Sequence, residues 1–117
     1  MSQADEVLMD KDGTLPASFL TLVDKAFAAT DKLLKEGFRL SKDKNLADKA
    51  PIMKQAYQAL SKHQRELDHV KCWGEIPGAE QVSKMACDKF LSTIAEDVAK
   101  YNREIEAAKG QLKALKN

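Results

Sequence analysis

Nine apolar or small side chains recur on a seven-residue repeat across residues 87–115, and this spacing dictates most of what the chain can become. Leu91, Val98, Ile105 and Leu112 occupy one position of the repeat. Cys87, Ile94, Tyr101, Ala108 and Leu115 occupy the other. At about 3.6 residues per turn they fall on one stripe of a helix, while the mostly charged or small residues between them face water. A helix with such a stripe buries it only against other helices.

The rest of the chain supplies them. Of its 117 residues only five are glycine and three proline, so turns are few and helices long. Phe19, Val23, Ala26, Phe27, Thr30, Leu34 and Phe38 recur at three- and four-residue steps and predict a first helix over 16–40, with Pro16 suited to its first turn and Thr14 or Ser18 as cap. A second helix is expected over 51–71, opened by Pro51, capped by Asp48, and carrying Ile52 or Met53, Ala56, Tyr57, Leu60, Leu67 and Val70. The third is expected over 79–115, with Gln81 in a capping box. Residues 1–15 read as an irregular acidic segment, and 16–117 as one helical-bundle domain.

No strand pattern occurs, so the fold class is all-α: an up-down-up antiparallel three-helix bundle with a long C-terminal helix. Its core is expected to contain Phe19, Val23, Phe27, Leu34, Tyr57, Leu60, Leu67, Phe90 or Leu91, Ile94 and Val98. The unequal helix lengths raise a problem. The last ~14 residues of helix 3 project ~21 Å past their partners at about 1.5 Å per residue. Ile105, Leu112 and Leu115 continue the apolar stripe there and require cover. One solution is a second copy of the chain, giving a homodimer. Its rival folds residues 41–50 over the overhang through Leu46.

Residues 7–15, VLMDKDGTL, resemble the first motif of haloacid-dehalogenase-type phosphatases. The resemblance implies a nucleophilic Asp10 and an acid–base Asp12 at the end of a strand in a parallel sheet. It covers these nine residues alone, and everything after them is helical, so the context that the chemistry needs is missing. Asp12-Gly13 is an ordinary turn dipeptide, and Asp10→Asn is expected to leave any function intact. A calcium loop counted from Asp10 needs Gly and Glu where Leu15 and Thr21 stand.

His63, His69, Cys72 and Cys87 are the soft-metal ligands available, without the paired Cys-x-x-Cys knuckles of structural zinc. His63 reads as a boundary residue of helix 2 and His69 as a solvent-facing one. A Cys72–Cys87 disulfide is disfavoured by about 12 Å of axial offset across the hairpin, and forms only if residues 72–78 fold back along the bundle. Trp73, beside Ile76 and Pro77, reads first as a plug over the open end of the bundle and second as a binding anchor.

Net charge is +1, which argues against strong non-specific nucleic-acid binding. The basic C-terminal run Lys100, Arg103, Lys109, Lys113 and Lys116 lacks the aromatic platforms of a nucleic-acid surface, because Tyr101 lies on the apolar stripe. No run approaches the ~20 apolar residues of a membrane span. The expected function is a non-catalytic, cofactor-free protein–protein interaction module: an adaptor, inhibitor or chaperone-like factor, cytoplasmic, acting through helical surfaces. Its expected contact residues are Tyr101, Ile105, Ala108, Leu112, Leu115, Trp73 and Ile76. The alternative is a small exported immunity or inhibitor protein carrying the Cys72–Cys87 disulfide, periplasmic or secreted after loss of an upstream leader.

Overall fold

The computed structural model describes residues 15–116, and shows three helices packed as an antiparallel bundle. α1 spans Ala17–Ser41, α2 Ala50–Trp73 and α3 Lys84–Lys116. Between α1 and α2 a pair of 3₁₀ turns, Lys44–Lys49, is interrupted at Leu46 (φ −116°, ψ 29°). The expected three-helix architecture is therefore present. Most of the acidic segment 1–15, including Asp10 and Asp12, lies outside the described residues; Leu15, its last member, is buried in the core.

The helix ends follow local chemistry that differs in places from expectation. Pro16 occupies the N-cap of α1, its carbonyl accepting from the amides of Phe19 and Leu20, and Ser18 lies inside the helix. Lys49, not Asp48, precedes α2, and Pro51 sits in the first turn, where its missing N–H needs no partner. α2 ends at Gly74 (φ 66°), whose amide donates to Val70 O at 2.9 Å. α3 starts at Lys84, five residues later than the capping-box reading places it. Pro77 and Gly78 (φ 84°) hold the chain in a turn, and Ser83 is the cap: its Oγ accepts from the Ala86 amide at 3.1 Å.

That later start resolves the overhang. Three inter-helix contacts set the register: Lys71 Nζ to Asp24 at 2.6 Å, His63 Nε2 to Asp97 at 2.7 Å, and Lys109 Nζ to Glu36 at 2.7 Å. They put the start of α3 level with the start of α1, and Lys109 level with its last turns. Only the final turns of α3 reach past α1, and the 3₁₀ segment lies over them. Leu46 is completely buried with Leu33, Leu40, Tyr101, Ile105 and Ala108. Gln111 Nε2 donates to Asn45 O at 3.4 Å and Asp48 Oδ1 at 3.1 Å. The cover is intramolecular.

The core has two parts. One, at the 74–83 loop, contains Phe19, Val23, Leu67, Val70, Ile76, Val82, Phe90 and Ile94. The other, at the 3₁₀ end, contains Leu40, Leu46, Met53, Leu60 and Ile105. Phe27, Leu34, Leu91 and Val98 are half-buried at the edges of these clusters. Tyr57 departs from expectation and is 42% exposed, because Met53, Ala56, Leu60, His63, Leu67 and Val70 form the inward stripe of α2 and Tyr57 stands one residue to the side.

Two glycines in contrasting backbone states make a matched test. A Cβ added to Gly110, inside α3, meets nothing within 4 Å. Gly110→Ala is therefore expected to stabilise the protein by about 0.5–1 kcal/mol through helix propensity. Gly74→Ala places a side chain at φ 66° and is expected to destabilise by about 1 kcal/mol. Urea melts of both variants check the two signs.

Candidate functional site

α1 packs along both other helices, whereas α2 and α3 meet less closely. A cleft of about 530 Å³ opens between them near the 74–83 loop. Its floor is apolar: Ile76, Phe90 and Ile94, with Pro77, Ala79 and Ala86 along the sides. Its rim is polar, with Glu66 from α2, Glu80 and Gln81 from the loop, and Lys89 and Thr93 from α3. Met85, 51% exposed, stands at the mouth. The loop walls one end because Ile76 and Val82 are drawn into the core and hold it against the helices.

His63 lies in the cleft wall and is the one buried imidazole among the described residues. Its Nε2 is 2.7 Å from Asp97 Oδ2 on α3, and its Nδ1 is 3.1 Å from Glu66 Oε1 one turn along α2. Carboxylates only accept, so each contact is a hydrogen bond when the facing nitrogen carries the proton. The ring therefore ties α2 to α3 at the level where the two parts of the core meet. Thr30 is also buried, and its hydroxyl donates to Phe27 O at 2.8 Å.

Two nucleophile-bearing side chains, Ser83 and Cys87, are taken up by the fold. Ser83 is buried and its oxygen caps α3. Cys87 is buried, and burial, with Asp88 next, pushes its thiol above the usual cysteine range, which weakens it as a nucleophile. Cys72 is exposed, and both cysteines are free. The register corrects the reason for this. Counting from the His63–Asp97 pair, Cys72 and Cys87 come to nearly the same level, and they diverge because one faces solvent and the other the core. Among the described residues no three His, Cys, Asp or Glu side chains converge as a metal site. His69 reaches only Glu75, at 3.4 Å.

The expected contact residues fall into two groups. Tyr101, Ile105 and Ala108 are buried inside the bundle, and Ile76 is buried in the floor of the cleft. Leu112 packs half-buried beside them, while Leu115, 62% exposed, continues past the cover. Trp73 does not plug the bundle: it is 72% exposed on the last turn of α2, and Ile76 closes the end instead. The cleft residue Met85 and the Asp97 partner of His63 carry no signal in the sequence beyond their place beside the heptad stripe. No helix among the described residues is long and apolar enough to cross a membrane. Comparison with protein-family models, with curated proteins and with solved structures finds no match.

Proposed function

We propose that this chain is a non-catalytic protein–protein interaction module that takes an apolar side chain of a partner helix into the α2–α3 cleft. The cleft itself carries this reading: an apolar floor of Ile76, Phe90 and Ile94, a charged rim, and a half-exposed Met85 at the mouth. An apolar centre ringed by polar groups is the anatomy of a docking patch, and methionine adapts its shape to what it receives. The use of Ser83 as a helix cap and the burial of Cys87 support a binding role over a catalytic one. Trp73, at the same end of the bundle, adds a large exposed ring to the surface available for contact.

A photo-crosslinking amino acid placed at Met85 tests this in the source cell, with the same group at the exposed Asn102 of α3 as control. The expected result is a discrete protein adduct from position 85 that is absent from position 102 and is lost when the exposed rim changes Lys89→Glu and Thr93→Glu are added. Identical adducts from both positions, or none from position 85, overturn the docking role of the cleft.

A further inference from the structure

The α1–α2 seam on the side away from α3 carries a second surface. Glu36 and Gly37 face α3, through Lys109 and Ile105, whereas Phe38 turns the other way and meets Tyr57 of α2. The two rings lie 5.7 Å apart at 42°, and remain 46% and 42% exposed. Lys42 Nζ sits 4.2 Å from the centre of the Phe38 ring. Lys35, Arg39 and Lys54 are exposed within one helical turn of these aromatics. Of the nearby acids, Asp31 pairs with Lys35 and Glu36 with Lys109, while Asp43 keeps its charge against three cations, Arg39, Lys42 and Lys54. Lys35, at 2.8 Å, and then Gln64 hold the Asp31 carboxyl below the usual carboxylate range, and Asp43 accepts from the Asn45 amide at the start of the 3₁₀ segment. What remains is a half-buried aromatic pair inside an excess of cations.

We propose that this seam docks an acidic segment of a partner protein, with apolar side chains against Phe38 and Tyr57 and carboxylates on Lys42, Lys54 and Arg39. Charge complementarity selects the acidic class. The ring geometry selects protein over single-stranded nucleic acid, because stacking a base requires an open aromatic face. Lys42 covers one face of Phe38, and Tyr57 tilts against the ring. A membrane surface would require a broad apolar face along a helix, and here two aromatics interrupt an otherwise charged one. The surface is separate from the α2–α3 cleft, so it adds to the proposed function without depending on which segment the cleft receives.

Fluorescence anisotropy with a labelled peptide alternating Glu with Leu and Phe tests the proposal. A Lys-for-Glu version of the peptide, labelled oligothymidylate and phosphatidylserine vesicles run in parallel. The acidic peptide is expected to bind saturably and to weaken as salt shortens the Debye length below about 10 Å. Lys42→Glu with Lys54→Glu, both at exposed positions that leave the core untouched, is expected to weaken it at least about tenfold. Arg103→Glu with Lys113→Glu, the same charge change at exposed α3 positions outside both surfaces, is expected to leave it unchanged, which separates this surface from net charge alone. The proposal is overturned if no probe binds, if the charge reversals leave peptide binding intact, or if the oligonucleotide or the vesicles bind in preference to the acidic peptide.

Discussion

Ile105→Asp is expected to remove most of the stability of this protein. Ile105 is completely buried among Leu33, Leu40, Leu46 and Leu60, and its Cδ1 lies 3.7 Å from where a side chain on Gly37 would begin. Substitution forfeits about 1.5–3 kcal/mol of apolar burial. It also places a carboxylate in that space, at a further cost of several kcal/mol when no cation pairs with it. The nearest candidate, Lys109, is held by Glu36 at 2.7 Å and by Glu106 at 3.5 Å. A domain of this size has about 5–15 kcal/mol in total. Far-UV circular dichroism in urea is therefore expected to show a transition shifted close to zero denaturant, or none. A melt within about half a kcal/mol of the parent would mean that Ile105 does not lie inside the bundle.

Leu46→Ala is expected to cost about 2–5 kcal/mol, the range for a large-to-small change at a buried site. Such a cost is unusual for a connection, where substitutions are normally tolerated. It follows from the complete burial of Leu46 at the centre of the cluster formed by α1, α2 and α3. The rest of the connection supports it: Asp43 accepts from the Asn45 amide at 2.9 Å, and the Asn45 and Asp48 oxygens accept from Gln111. The same melts measure this variant, and a loss below about half a kcal/mol would show that the leucine is not part of the core.

These two residues show which features were legible in the sequence. The heptad spacing announced the buried face of α3, because Cys87, Ile94, Tyr101, Ile105 and Ala108 follow from helical geometry alone. What covers that face is legible only as two alternatives, a second copy of the chain or residues 41–50 folded over through Leu46. Leu46 is a lone apolar residue in the polar run SKDKNLADKA, and its burial depends on a register that periodicity does not encode. The register follows from where α3 begins. That start rests on one hydroxyl, Ser83, competing with an equally plausible capping box around Gln81. Five residues of difference there decided whether Ile105 belonged to a partner or to the chain itself.

The candidate sites were less legible for a related reason. The α2–α3 cleft is a gap between helices, produced by how tightly each pair packs, and Met85 at its mouth looks in sequence like any residue beside the stripe. The Phe38–Tyr57 pair was hidden because both aromatics fit three- and four-residue spacings in their helices, whereas each stands one residue beside a buried position, Gly37 and Ala56. Trp73 reads as a plug from its place beside Ile76 and Pro77 at the open end of the bundle, whereas it ends α2 facing solvent and Ile76 alone of the three enters the core.

The C-terminal stripe of α3 is satisfied within one chain, by Leu46 and the rest of the 44–49 segment. Native-state hydrogen exchange at the amides of residues 101–111 tests it, measured for the parent and for Leu46→Ala at two protein concentrations about tenfold apart. Protection in the parent is expected to be independent of concentration, and Leu46→Ala is expected to lose protection in proportion to its loss of stability. Protection that rises with concentration and survives the Leu46 substitution would contradict it, because a second copy of the chain, and not the 44–49 segment, would then be covering the stripe.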